Sequence, residues 1–272
     1  IFLILKNFIG FFSFNFASKF GGVLVSFFGK YTKYEQIIKN NIEVLNLSNE
    51  DSSNLIKDNF KETGKVFFEF FNLNKFNWEN ININNTDILD EIKAHQGPKI
   101  FISAHIGNWE LTRNFLLRNG FTLHSVYRHA NNEKVDKYIQ KYRKNDNAFF
   151  YKKGSESAKY MIRALKQKED LALLIDQRDS SGLEIDFFGK KALATDGFAN
   201  LAIKYKTMIC PVYSIRNKNG TFQIIFEKPI RYEQYKNFNI KELVERIHKK
   251  YFEKWIVLSP SQWLWVHQRW KL

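Results

Sequence analysis

Lys99-Ile-Phe-Ile-Ser-Ala-His105-Ile-Gly-Asn-Trp-Glu110-Leu-Thr-Arg-Asn-Phe-Leu-Leu-Arg118 changes its period partway along. The apolar run 99–104 reads as a strand, and Trp109 to Arg118 reads as a helix. Gly107 permits the tight turn between them, and Asn108 is a good N-cap. His105 therefore closes a strand while Glu110 stands in the first turn of a helix. Imidazole titrates near neutrality and can take a proton from a hydroxyl. A carboxylate on its far nitrogen would fix the tautomer and stabilise the imidazolium as it forms. The competing reading is a buried core histidine beside a solvated glutamate, which the helix dipole favours at that end. These residues alone leave both readings open.

Outward from this segment the alternation continues. Strands are expected at 99–104, 121–126, 148–151, 170–175, 208–215 and 221–227, with helices at 109–118, 132–144, 155–167, 196–206 and 239–257. Alternating strands and helices predict an α/β domain with helices on the faces of its sheet. Upstream, two helices are expected, from Tyr34 to Leu47 and across Leu55 to Phe70, and the Asn-rich stretch Asn72 to Asn85 reads as a loop followed by a short helix. No repeat or linker divides the chain.

Residues 1–29 are apolar and rich in phenylalanine, but Lys6 and Lys19 interrupt them. The uncharged stretch from Asn7 to Ser18 is too short to span a bilayer, so an in-plane anchor or the remainder of a truncated membrane helix is expected. A hydrophobic core helix is the alternative. The expected organisation is a hydrophobic membrane-associated segment at 1–30, incomplete at its N-terminus, and one large domain at 31–272. Lys and Arg exceed Asp and Glu by 42 to 28, a net charge of +14, which favours an anionic partner without choosing among nucleic acid, membrane and acidic protein. Cys210 is the single cysteine and lies in an apolar strand-like run, so burial is expected rather than nucleophilic chemistry. No GxSxG elbow, P-loop, GxGxxG or HExxH spacing is present. No metal is expected.

Further polar groups follow other strands. Tyr127-Arg128 comes after the second strand, where open α/β sheets bind ligands. Arg128 there could hold a phosphate or stabilise an oxyanion. Asp176-Gln177-Arg178 follows Leu171-Ala-Leu-Leu-Ile, and Phe187-Phe188-Gly189 comes after it. The C-terminal run Trp263-Leu-Trp265-Val-His267-Gln-Arg269-Trp-Lys reads as an aromatic and basic segment suited to headgroup depth.

Taken in order, these blocks resemble one family. His105-Ile-Gly-Asn-Trp-Glu110 is similar to the H-x4-D/E motif of the glycerolipid-type acyltransferases, in the HxGNWE form of the late acyltransferases of lipid A biosynthesis. Val126-Tyr-Arg-His-Ala-Asn-Asn resembles that family's YRPLNNP stretch, with His129 in place of proline. Asp176-Gln177 through Phe187-Phe188-Gly189 resembles its DQ…FFG block. The terminal Pro260-Ser-Gln262-Trp263-Leu-Trp265-Val-His267-Gln-Arg269 resembles P-x-Q-Y-x-W-x-H-R-R, with Gln268 in place of the first arginine.

The resemblance implies a mixed sheet of the glycerol-3-phosphate acyltransferase type. It also implies direct transfer of a fatty acyl chain from acyl carrier protein, the donor substrate, to a hydroxyl of a lipid A precursor of the Kdo2-lipid IVA type, with no cofactor. His105 would be the general base, oriented by Glu110. Arg128, Asp176, Gln177 and Arg269 would bind phosphate, substrate or the oxyanion. Phe187, Phe188 and Gly189 would line the acyl slot. The implied partners are acyl carrier protein, the anionic lipid A precursor and the membrane surface, without nucleic acid. The implied place is the cytoplasmic face of a bacterial inner membrane. Two readings compete with this one: acylation of a lysophospholipid or another glycolipid, and a non-catalytic basic protein that binds membrane or nucleic acid.

Overall fold

The structure is a computed structural model describing residues 9–130 and 132–271. Its described N-terminal part includes α1 (Phe14–Gly29), α2 (Lys33–Ile42) and α3 (Asn49–Glu69). The rest alternates strand and helix: β1 (Ile81–Asn84), α4 (Thr86–Ala94), β2 (Lys99–Ser103), α5 (Trp109–Arg118), β3 (Leu123–Tyr127), α6 (Glu133–Arg143), β4 (Ala148–Lys152), α7 (Ser155–Lys166) and β5 (Asp170–Leu174). Next come β6 (Arg178–Phe187), β7 (Lys190–Ala194), α8 (Gly197–Tyr205), β8 (Met208–Arg216), β9 (Phe222–Phe226), α9 (Ile240–Ile247) and α10 (Lys254–Leu258). A π-helical turn, His248–Glu253, joins α9 to α10.

Seven strands form one sheet in the order β1-β9-β8-β2-β5-β3-β4, and β6 and β7 form a separate hairpin. Every pair in the large sheet is parallel except β8 and β9. The chain is thus a single α/β domain with a mixed sheet flanked by helices. β2 is buried along its whole length, as a central strand covered on both faces requires. Its neighbour β5 runs in register, Ser103 beside Leu174. Both strands point their carboxyl ends the same way, which brings the residues that follow each strand side by side.

No helix among the described residues is long and apolar enough to cross a membrane. Of the segment expected at 1–30, residues 1–8 lie outside the described residues. Most of the remainder is α1, a helix with two different faces. Phe14, Ala17, Ser18, Gly21 and Gly22 are buried, while Phe16, Val23, Phe27 and Phe28 are exposed. α1 crosses α3 where glycines face each other: a Cβ on Gly64 would lie 2.2 Å from the Gly21 carbonyl oxygen. Only bare backbone permits that approach.

Two elements depart from expectation. The Asn-rich stretch holds a strand, β1, whose Ile-Asn-Ile-Asn pairs with Phe222 to Ile225 of β9. The segment after Asp176, to which the sequence pattern assigns no element, is a hairpin turning at Phe188 and Gly189, both at positive φ (56° and 70°). That turn geometry suits the twist of a two-stranded ribbon.

Candidate active site

The His105 turn is held from three sides. The Gly107 amide donates to the Gln262 carbonyl (3.0 Å) and the Leu264 amide to the His105 carbonyl (2.9 Å). Asn108 caps α5, its Oδ1 accepting from the Leu111 amide (3.1 Å). Gly107 has φ +56°, and a Cβ there would sit 1.9 Å from the Ser214 carbonyl oxygen, so glycine lets the turn lie flat on β8.

The carboxylate on the imidazole is that of Asp176. His105 Nδ1 lies 2.8 Å from Asp176 Oδ1, the His105 amide donates to Oδ2 (3.0 Å), and Trp263 Nε1 donates to the same oxygen (2.8 Å). Burial by itself would raise the Asp176 carboxyl. The imidazole, its hydrogen bonds and that of Trp263 outweigh burial and hold it at about 2. Asp176 is therefore ionised at neutral pH and accepts only. Nδ1 must donate to it, which leaves Nε2 of the neutral ring as the proton acceptor. Among the described residues no protein group is hydrogen-bonded to Nε2. The His105 side chain is 18% exposed, and Trp109 flanks the ring edge-on at 5.0 Å between centroids.

The expectation that Glu110 occupies the far imidazole nitrogen is thereby corrected. From the first turn of α5 its side chain reaches Arg143 of α6 through Nε (3.1 Å) and Nη2, and Arg113 one turn on (3.2 Å). Both guanidiniums also lie over Phe150, 4.8 and 5.3 Å from its centroid. Burial works to raise the Glu110 carboxyl, but Arg113, Arg143 and, more weakly, His105 bring it below its ordinary value. Glu110 feels the imidazole as a charge without touching it.

Past the carboxyl ends of β3, β4 and β5 a cleft of about 700 Å³ is lined by Arg128, Lys152, Lys153, Arg178 and His267, with one carboxylate, Asp179. Lys153 pairs with that carboxylate at 2.9 Å. Arg128 is exposed and makes no hydrogen bond or ion pair among the described residues. Arg178 stands two residues after Asp176, with Nε donating to the Lys271 carbonyl. Its amide donates to His267 Nε2 (3.1 Å). Burial depresses the His267 imidazole to about 4 against the opposing charge of Asp176, and the cations of Arg269 and Arg178 add to the depression. His267 is therefore a neutral acceptor. The cleft combines four cationic side chains with one paired acid, suited to an anionic group.

Of the site residues expected from sequence, His105 and Asp176 meet directly and Arg128 lines the cationic cleft. Gln177 is half-buried next to Asp176, and its side chain makes no hydrogen bond among the described residues. Arg269 is fully buried rather than at an anion site. Its guanidinium lies 4.9 Å from the centre of the Phe187 ring and donates to the Leu193 carbonyl (2.7 Å). Phe187 is likewise interior, between Trp270 and His248, and Gly189 serves the hairpin turn. Neither residue lines the cationic cleft described above.

The C-terminal aromatic segment is an interior strap instead of an interface. Trp263 and Trp265 are buried, and the amides of Asn59 and Asn41 grip its backbone carbonyls at 2.6–2.9 Å. Cys210 is buried and its thiol is pushed well up by burial, which leaves it inert. Lys152 and Lys153 were not singled out in the sequence, and Arg178 and His267 were read only as members of longer blocks without a role of their own. The signal for the two lysines was their position at the carboxyl end of β4, Lys152 closing the strand and Lys153 following it.

Over residues 1–272 the chain matches the family model described as bacterial lipid A biosynthesis acyltransferase. No curated protein matches the chain.

Proposed function

The chain belongs to the bacterial lipid A biosynthesis acyltransferase family and is an acyltransferase, and from that premise we propose its donor, its acceptor and the residue that starts the chemistry. The donor is an acyl carrier protein thioester, and the acceptor is a hydroxyl of a lipid A precursor of the Kdo2-lipid IVA type. His105 is the general base. The observation that carries this reading is the Asp176–His105 contact, which supplies an imidazole with a fixed tautomer and an open Nε2.

Transfer proceeds without an acyl-enzyme. His105 Nε2 takes the proton as the acceptor oxygen attacks the thioester carbonyl and the new C–O bond forms. The charge that appears on the imidazole is stabilised by Asp176. Collapse of the tetrahedral intermediate breaks the C–S bond, and the departing thiolate takes the proton from His105. Arg128, Arg178 and Lys152 hold anionic groups of the acceptor and so place its hydroxyl.

The exposed face of α1 supports docking on a bilayer. Phe16, Val23, Phe27 and Phe28 present rings and a branched side chain to solvent, with Tyr31 exposed just beyond the helix. Lys19, Lys30 and Lys33 lie along the same stretch. Aromatic and basic residues together suit an anionic interface. In this reading the enzyme works at the cytoplasmic face of an inner membrane.

The test is acyl transfer in detergent to a tetra-acylated lipid A precursor from a panel of acyl carrier protein thioesters, with wild type and His105→Ala side by side. Wild-type transfer that collapses in the variant supports the reading. Transfer only to lysophospholipid or another glycolipid replaces the acceptor and keeps the base. Near-normal turnover by His105→Ala sinks the mechanism, and silence on every acceptor leaves a binding protein.

A further inference from the structure

Glu69, the last residue of α3, has no solvent exposure, yet its carboxylate carries four contacts. Ser18 Oγ of α1 donates to it (2.5 Å), and so does Asn108 Nδ2 (2.7 Å). Arg216, at the end of β8, reaches it with both terminal nitrogens (2.7 and 2.8 Å). Taking a carboxylate out of water is costly, and a buried ion pair is a poor device for stability alone. Its better-attested use is to fix one arrangement over others. The arrangement fixed here contains the candidate base.

Asn108 makes two side-chain contacts of opposite sense. Its Oδ1 accepts from the Leu111 amide while its Nδ2 donates to Glu69. Because Glu69 only accepts, the carboxamide cannot turn over without setting two oxygens against each other. The Asn108 backbone is clamped as well. Its amide donates to Ser214 Oγ (3.1 Å), and that hydroxyl donates back to the Asn108 carbonyl (2.9 Å). Gln262 closes the circuit. Its side chain exchanges hydrogen bonds with the Arg216 backbone (2.8 and 2.9 Å), and its carbonyl takes the Gly107 amide. Little slack remains between the Glu69 carboxylate and the turn that aims the imidazole.

We propose that Glu69 is a positioning residue for acyl transfer, setting the turn 105–108 through Asn108 and so the aim of His105 Nε2. The proposal rests on His105 being the base. Ser18 extends the same network to α1, so the helix with the exposed aromatic face and the catalytic turn share one carboxylate.

The experiment compares wild type, Glu69→Gln, Glu62→Gln and the double variant Glu69→Gln/Asn108→Asp, each first checked for folding by circular dichroism. Glu62 pairs with the same guanidinium (2.9 Å) but does not touch Asn108, so it controls for the ion pair itself. Glu69→Gln is expected to lower kcat by about tenfold to a hundredfold with little change in KM, the penalty of a misplaced reacting group. Glu62→Gln is expected to stay within about twofold of wild type, as a pair removed away from the reacting groups. The double variant exchanges donor and acceptor between the two positions, keeps a good N-cap, and is expected to recover most of kcat.

The rate at which diethyl pyrocarbonate modifies His105, mapped by mass spectrometry, reads the same geometry without turnover. It should change in Glu69→Gln and return in the double variant. Unchanged kcat and modification rate in a folded Glu69→Gln protein overturn the proposal, and so does an equal loss in Glu62→Gln. A wild type that transfers no acyl group overturns the function, while the modification rates still decide the positioning.

Discussion

Asp176→Asn is the substitution that most sharply separates the observed imidazole partner from the expected one. The carboxylate accepts three hydrogen bonds, two from His105 and one from Trp263. A carboxamide oxygen can keep only part of that set, and its amino group must face a donor or the bare Nδ1. In the second case the tautomer reverses, and Nε2 carries a proton when it should accept one. The lost charge can be sized from the geometry. The contact of 2.8 Å puts the charge centres about 4 Å apart, and at an effective dielectric near 20 that is worth about 4 kcal/mol. At about 1.4 kcal/mol per decade the rate should fall on the order of a thousandfold.

The loss belongs in kcat, since the charge matters only once the imidazolium forms. The same carboxylate gives a stability signature. Its folded pKa of about 2 lies below the ordinary value of 3.8. It therefore contributes about 2 kcal/mol above pH 4, lost as pH falls from 4 through 2. Wild type should lose stability in that acid window, and Asp176→Asn should show a flatter profile there. The assay is single-turnover transfer from an acyl carrier protein thioester, run beside urea melts between pH 2 and 7. A folded Asp176→Asn protein with kcat within about threefold of wild type would refute the reasoning, since a thousandfold is forecast.

Glu110→Ala leaves Arg113 and Arg143 buried without their carboxylate and should cost about 3–5 kcal/mol, read as a melting temperature lower by about 10 °C. Activity per folded molecule, measured well below that temperature, should fall much less than in Asp176→Asn; a larger fall would return Glu110 to the imidazole. Arg128→Ala and Arg178→Ala together should raise KM for a phosphorylated acceptor about tenfold or more, as expected for lost charge-assisted contacts, and should blunt its salt dependence. An unchanged KM would remove the cleft from acceptor binding. Phe27→Asp with Val23→Asp should weaken sedimentation with anionic vesicles while leaving the melting temperature within a few degrees, because both side chains are more than half exposed. Undiminished sedimentation would place the membrane contact elsewhere.

The strand–turn–helix around His105 was legible because its signals are local: an apolar run, a glycine at the turn and an N-cap asparagine. The identity of the imidazole's partner was not. Asp176 meets His105 because β5 lies beside β2 in parallel register, and strand order is a non-local property that no nearby residue encodes. Glu110 looked like the partner through its sequence spacing, but the first turn of α5 aims its side chain at Arg143. β1 was hidden because its asparagines resemble loop composition, and its pairing with β9 supplies the missing apolar context. Arg269 and the C-terminal tryptophans read as an interfacial pattern. They are interior because Asn41 and Asn59, far away in the chain, pull that backbone under the N-terminal helices.

The pairing of Ser103 with Leu174 also makes the catalytic couple a matter of counting. Between the two strands, the connections around α6 can lengthen or shorten among relatives without moving either group. A single residue gained or lost inside β5 would turn every following side chain to the opposite face of the sheet. Asp176 would then leave the imidazole although each motif still read correctly. Silent copies of such enzymes can therefore be sought by strand length, in sequences where every signature residue is still in place.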